Sequence, residues 1–321
     1  MKKIGVVIPC HNEELVLSET TRRLGILFQG LSAKGKISFE SKVYFVDDGS
    51  QDKTWNIIRD AAANHPFVEG IKLSRNRGHQ SAVLAGLMHA EGDCLISIDA
   101  DLQDDLSAIE EMVDAHVAGS DIVYGVRKAR NSDTPFKRFS AELYYRILAM
   151  MGVEIIFNHA DFRLMSRRAI DALREFGEVN LFLRGIIPQL GFNSAIVHYD
   201  RAERFAGESK YPFSKMLGLA VQGITSFSVV PLRIITTIGL LISILSFAIG
   251  LWALWLRLFT QQAIPGWTST VLPMYLLGGI QLFSLGVIGE YLGKIYLETK
   301  RRPRYFIEDF VSHESPRPLD Q

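Results

Sequence analysis

The chain has 321 residues, room for one large domain and something more. Lysine plus arginine equals aspartate plus glutamate at 35 each, so no global field argues for nucleic acid, and no nucleic-acid partner is expected. The two cysteines, Cys10 and Cys94, both lie in apolar runs, which excludes a disulfide framework and suits a reducing compartment.

No signal peptide is expected, because Met1, Lys2 and Lys3 lead at once into a short apolar run and then polar residues. Residues 4–8 read as a strand buried on both faces, ended by Pro9, Cys10, His11, Asn12 and Glu13. A helical pattern follows to about Phe28. Residues 43–46 make a second buried strand that ends in Asp47-Asp48-Gly49-Ser50, and helix signals resume at Asp52. A third strand, 68–73, runs into Ser74, Arg75, Asn76, Arg77, Gly78 and His79, and a helix over 81–90 leads to a fourth strand, 94–98. A helix over 106–118 and a fifth strand, 121–125, follow, ending at Val126, Arg127 and Lys128.

Strands alternating with helices predict βαβ units and a mostly parallel sheet, an α/β fold. Each polar cluster falls at the carboxyl end of its strand, the edge where open α/β sheets bind ligands. Any one cluster alone reads as a solvated turn. Five of them together read as one crevice. No G-x-G-x-x-G follows the first strand and no P-loop pattern occurs, which argues against a nicotinamide dehydrogenase or a P-loop NTPase.

The fourth strand ends in Asp99, Asp101, Asp104 and Asp105. Acids this close repel one another, and burying them unpaired is costly, so a cation is expected among them. Hard oxygen donors favour Mg2+ or Mn2+ over Zn2+. The alternative is an acidic helix cap, which is the reading for Asp104 and Asp105, whereas Asp99 and Asp101 read as metal ligands.

Residues 137–151 read as an amphipathic helix, and 167–176 as another. Between them Asp161 and Arg163 stand in an apolar context, as a structural ion pair or as an acid–base pair at the site. Arg201, Arg204 and Lys210 lie in a segment whose small residues break any helical period; it reads as a pyrophosphate-neutralising loop or as a plain exposed one.

From about Leu232 onward the composition changes. Residues 234–256 and 258–289 carry no charge, so two membrane spans are expected, at about 232–257 and 270–292, joined by a loop over 260–270. Lysine and arginine flank this hairpin on both sides and are absent from its loop, which puts both flanks in the cytoplasm. Residues 211–229 are apolar at helical spacing and read as a helix in the interface plane. The tail, 294–321, begins basic and ends polar and proline-rich, with 313–321 expected to be disordered.

These motifs in this order resemble a known family. Asp47-Asp48-Gly49-Ser50, the Asp99 to Asp104 run, Asp161-Phe-Arg-Leu-Met165, the Arg201 to Lys210 segment and a hairpin containing Gly278, Gly279, Gln281, Gly286, Glu290 and Gly293 look like the polyprenyl-phosphate glycosyltransferases of glycosyltransferase family 2. That family includes bactoprenol glucosyltransferases and relatives of dolichol-phosphate mannose synthase. The resemblance implies a GT-A domain over 1–210 and inverting transfer of a hexose, from UDP-glucose, to undecaprenyl phosphate at the cytoplasmic face of the inner membrane. It implies that Asp99, Asp101 and Gln103 hold the Mg2+ or Mn2+, and that Pro9, His11, Glu13, Asp48, Ser74 and Asn76 line the nucleotide pocket. It also implies that Arg127, Arg201, Arg204 and Lys210 meet phosphate. Asp161 takes the catalytic position beside Asp101, although a phosphate nucleophile hardly needs a base. The chain departs from the family pattern at His11, at Arg77-Gly78-His79-Gln80 and at His159-Ala160, which bears on the donor sugar. Other donors (GDP-mannose, UDP-GlcNAc or an aminosugar), a processive polysaccharide synthase and a non-catalytic membrane scaffold are the alternatives. The glycines of the hairpin give close-packing faces that could serve within it or in a homo-oligomer.

Overall fold

The computed structural model describes residues 1–128, 159–179, 181–200, 230–259 and 266–313. The expected helix over 137–151, the interfacial helix over 211–229 and the end of the tail lie outside these residues. So do Arg201, Arg204, Lys210 and most of the inter-helix loop.

The chain lays down β1 (Ile4–Cys10), α1 (Leu17–Ala33), β2 (Lys42–Asp47), α2 (Thr54–Asn64), β3 (Val68–Leu73), α3 (His79–His89), β4 (Cys94–Ser97), α4 (Ala108–Val117) and β5 (Ile122–Arg127). Then come β6 (His159–Ser166), α5 (Arg167–Arg174), α6 (Leu183–Gln189), β7 (Ser194–Tyr199), α7 (Val230–Phe259), α8 (Trp267–Thr299) and β8 (Ile307–Val311). The eight strands form one sheet in the order β7-β5-β6-β4-β1-β2-β3-β8. β1 pairs in parallel with β2 and β4, as does β2 with β3 and β5 with β7. β6 is antiparallel to both β4 and β5, and β8 is antiparallel to β3. The carboxyl ends of β1 to β5 and β7 therefore share one edge, and the amino end of β6 joins them there.

β1 to β5 form where apolar, β-branched residues run together, and they are buried on both faces. Alternation sorts their side chains. Ile4, Val6, Ile8 and Cys10 belong to the core built with Leu24 and Phe28 of α1, Ile58 of α2, and Ile109 and Met112 of α4. Val7 and Val46 face α3 on the other side. There Gly86 lets the helix come close, because a Cβ at that position would sit 2.2 Å from Val7 Cγ1.

Three strands were not legible as such in the sequence. β6 carries Asp161 and Arg163 in mid-strand, β7 is exposed on one face, and β8 contains Glu308 and Asp309. β8 returns the chain to the sheet after α8. Ser74 N–H donates to the Phe306 carbonyl at 3.0 Å, and Lys72 meets Glu308 at 3.0 Å.

The described residues fall into two compact units, the sheet with α1 to α6 and residues 301–313, and the pair α7 and α8. Both helices of that pair run longer than expected. Within them Val230–Ile249 and Leu276–Thr299 are long and apolar enough to cross a membrane, with mean hydropathies of 2.2 and 1.3. Large apolar side chains such as Leu240, Phe247 and Leu282 stay exposed on them.

Candidate active site

The site is built on the shared strand edge. At the end of β1, Pro9 is buried, and Asn12 takes a left-handed turn (φ 56°). Asn12 N–H donates to Ser50 Oγ at 3.0 Å, and its Oδ1 accepts from Gln51 N–H at 2.9 Å, so the ends of β1 and β2 are knitted together. His11 Nδ1 lies 3.0 Å from the Asp48 carbonyl, and Asn76 Nδ2 approaches His11 Nε2 at 3.1 Å. Glu13 N–H is anchored on Thr54 Oγ1 at 2.9 Å. His11, Glu13, Asp48 and Asn76, read from separate stretches of sequence, are thus brought into one neighbourhood. Exposed Ser74 sits beside them at the end of β3.

Asp48 does something the sequence did not reveal. Both its carboxylate oxygens accept backbone N–H groups, from Arg77 at 2.7 Å and Gly78 at 2.8 Å. Burial pushes its pKa up, and those two N–H groups oppose the shift. Its carboxylate organises the loop from β3 to α3, the loop that carries Asn76. Gly49 shares this work: it has φ +65°, and a Cβ there would lie 2.5 Å from Asn76 N. Neighbouring Asp47 is fully buried, and its Oδ2 has no hydrogen-bond partner.

After β4 the chain turns sharply. Leu102 is left-handed (φ 57°), an uncommon state for a branched residue, and Gln103 N–H donates to Asp101 Oδ1 at 3.2 Å. Burial pushes Asp99 up to about 6; Asp161, Asp104 and Asp101 add to the rise, and His79 opposes it. An acid so reluctant to ionise, next to Asp101, fits a divalent cation that would restore its charge. Among the described residues no three His, Cys, Asp or Glu side chains converge as a ready-made cage. Carboxylate and amide oxygens are the donors a hard divalent ion takes, so Asp99, Asp101 and Gln103 are the residues that could hold one here.

Asp161 is the electrostatic centre of the neighbouring strand. Its register on β6 follows from Ser97 pairing with Arg163, and Ser97 Oγ donates to the Asp161 carbonyl at 2.6 Å. Asp161 Oδ1 receives Arg163 Nη2 at 2.5 Å and Arg184 Nε at 3.1 Å; Oδ2 receives Arg184 Nη2 at 3.0 Å and lies 3.4 Å from His79 Nε2. Burial alone would raise the Asp161 pKa, but Arg184, His79 and Arg163 outweigh it and hold the carboxyl well below its usual range. Burial would likewise lower His79, and Asp161 and Asp99 hold it above its ordinary value. His79 Nε2 stands 3.6 Å from Asp99 Oδ1, so it bridges the two acids. Arg163 is 1% exposed, and its Nε and Nη1 have no hydrogen-bond partner. Of the two readings of Asp161 and Arg163, the ion pair is the one present.

One expectation is corrected on the other side of the acidic loop. Asp104 is not a helix cap. It is buried, with Oδ1 accepting from the Tyr199 hydroxyl at 2.6 Å and from Arg127 Nη2 at 3.1 Å. Asp105 alone makes the local turn, accepting from Ser107 N–H at 2.9 Å. Arg127, expected to meet phosphate, has its Nη2 held by Asp104 and its Nε by the Tyr199 oxygen at 3.2 Å. Sequence reading also missed Arg184 and Tyr199. Both stand far along the chain from the acids they touch, and no local pattern marks them.

Comparison with known proteins now bears on this edge. The model described as "Glycosyl transferase family 2" matches residues 5–174. The uncharacterized glycosyltransferase YkoT of Bacillus subtilis is 47% identical over 320 residues, covering 99% of this chain and 95% of that protein. The prophage bactoprenol glucosyl transferase homolog of Escherichia coli is 40% identical, covering 95% of this chain and 98% of that protein. The bactoprenol glucosyl transferase of Shigella phage SfV is 40% identical, covering 96% and 98%. The solved glucosyl-3-phosphoglycerate synthase of Mycobacterium tuberculosis is more distant, at 18% identity and a TM-score of 0.49 over 70% of this chain and 76% of that one, too far to carry its ligands across.

Proposed function

Because the chain belongs to glycosyltransferase family 2, we propose that it transfers a hexose with inversion from a nucleotide sugar, UDP-glucose, to a polyprenyl phosphate at the cytoplasmic face of a membrane. The chain is a glycosyltransferase, and its sheet is the GT-A sheet of that family.

One observation carries the lipid acceptor. Relatives named bactoprenol glucosyl transferases match this chain over 95% or more of its length, through α7 and α8 as well as the sheet. A likeness confined to the sheet would support sugar transfer alone. Two helices apolar enough to cross a bilayer suit an acceptor that resides in one.

The strand edge supplies the rest of the reading. Pro9, His11, Glu13, Ser74 and Asn76, with the loop organised by Asp48, take the nucleotide. Asp99 and Asp101, with Gln103, hold Mg2+ or Mn2+. When bound, that ion supplies positive charge against the diphosphate as it leaves. Arg201, Arg204 and Lys210 are assigned to the diphosphate, and residues 211–229 to the membrane surface.

The test is a donor screen. Purified protein, undecaprenyl phosphate, Mg2+ or Mn2+ and a panel of nucleotide sugars are combined, and the lipid product is read by mass. A hexosyl phospholipid from UDP-glucose is expected. Transfer only to a growing polysaccharide, or to no lipid phosphate at all, overturns the reading.

A further inference from the structure

Resting on that reading, we infer that the chain beyond α8 is a component of the nucleotide site. Arg304, Tyr305 and Phe306, held in place by β8, are positioning residues for the loop between β3 and α3.

That loop, residues 74–78, has no regular structure to hold its shape. It carries Asn76, which reaches His11, and the N–H groups of Arg77 and Gly78, which meet Asp48. Those ties come from the ends of β1 and β2 and fix the middle and the far end of the loop. Its near end is fixed from elsewhere, by the bond from Ser74 N–H to the Phe306 carbonyl at 3.0 Å. A loop tied at one end only can pivot. Tying both ends removes that freedom before a ligand arrives, and a loop already in its bound shape binds more tightly.

The helix that follows the loop is held by the same short run. The Tyr305 ring packs edge-on against His89, the last residue of α3, with centroids 5.8 Å and planes 73° apart. The Arg304 guanidinium donates to the Phe176 carbonyl, just past α5. Arg174 of α5 in turn reaches the Met88 carbonyl of α3 at 3.3 Å. Residues 304–306 therefore touch the end of β3, the end of α3 and the end of α5. The first two are the arms between which the nucleotide loop hangs.

β8 holds the run in register. Gly70 pairs with Val311, Ile71 with Phe310, Lys72 with Asp309 and Leu73 with Ile307, so Glu308 is skipped. A bulge of this kind bends and re-aims its strand, here next to Ser74. At the far end Val311 lies over Gly70, where a Cβ would come within 2.7 Å of Val311 Cγ2. Without β8, β3 would be the edge of the sheet, and edges fray. Thr299 ends α8, and only residues 300–303 intervene before Arg304. The nucleotide loop thus takes its near anchor from the first residues laid down after an apolar helix long enough to cross a bilayer.

The experiment uses the full chain in detergent or lipid. Tyr305→Ala should raise the UDP dissociation constant with Mn2+, and the donor KM, about 5- to 10-fold, with the acceptor KM and the kcat at saturating donor within about twofold of wild type. Amide hydrogen exchange should quicken over residues 74–78 and not in β1 or β2. Tyr305→Phe, which keeps the ring, should recover the affinity. Val311→Asp puts a charge where Val311 packs against the core and touches no loop residue. It should weaken UDP binding in the same way, and it serves if Tyr305→Ala does not fold. Wild-type UDP affinity in a folded variant whose loop exchange has quickened overturns the inference. So do unchanged exchange over 74–78 in both variants and a loss shared equally by donor and acceptor KM. If neither variant folds, the run serves the stability of the sheet and the inference falls, with the transferase reading intact. A wild type that binds no nucleotide overturns both.

Discussion

The Tyr199 hydroxyl donates a 2.6 Å hydrogen bond to Asp104 Oδ1, joining the end of β7 to the acidic loop that follows β4. The same hydroxyl oxygen accepts from Arg127 Nε, so three strand ends meet on one buried carboxylate. Asp104 Oδ2 already lacks a partner, so the network has little redundancy. Tyr199→Phe should therefore lower stability by about 1–3 kcal/mol, the cost of under-satisfying a buried acceptor, read as a fall in thermal midpoint. Arg127→Met should cost more, about 3–5 kcal/mol, because it strands a buried charge. Equal midpoints for wild type and both variants would refute this role.

Asp99→Ala and Asp101→Ala should each reduce metal-dependent transfer by about 100-fold or more while leaving expression and membrane insertion unchanged. Calorimetry provides a second readout. The enhancement of UDP binding by Mn2+ should disappear in both variants, and near-normal turnover in either would remove that residue from the metal site.

Asp99 also sets a pH dependence in metal-free protein. Its folded pKa of about 6 stands above the ordinary 3.8, so the folded state favours its protonated form. A raised acid contributes stability below its unfolded pKa and loses that contribution as pH rises through the folded value. In chelator, the stability of the wild type relative to Asp99→Asn should fall between about pH 4 and pH 6 and level off above. Denaturant titrations across that window check it, and a difference that is flat with pH would contradict the shift.

Gly49→Ala should weaken nucleotide binding more than it weakens the fold. The new Cβ meets backbone at Asn76, which cannot rotate away, and the residue must hold φ +65°. The loop that must yield carries Asn76, Arg77 and Gly78. A rise in the UDP dissociation constant is expected, with a stability loss of about 1–2 kcal/mol.

The first five strands were legible because continuous apolar, β-branched runs leave little choice of state, and their polar ends announced a ligand edge. The two long apolar helices were legible for the same reason. β6 was not, because Asp161 and Arg163 break the apolar pattern, and only tertiary pairing with Ser97 and Tyr124 explains two charges inside a sheet. Asp104 was misread because its acidic neighbours mimic a cap, whereas its partner Tyr199 lies 95 residues away. Arg184 was missed for a like reason: a basic residue in a short helix carries no sign that it will fold onto Asp161.

The return of β8 to β3 has a consequence for topology that is independent of charge bias. β7 and β8 belong to one sheet, so the chain leaves that sheet after Tyr199 and rejoins it at Ile307. Whatever lies between must begin and end in the same compartment. The number of bilayer crossings in that interval is therefore even. α7 and α8 as two crossings satisfy the parity, and one or three would tear β8 out of its ladder. A reporter fused beyond residue 313 should accordingly share its compartment with one fused ahead of β1.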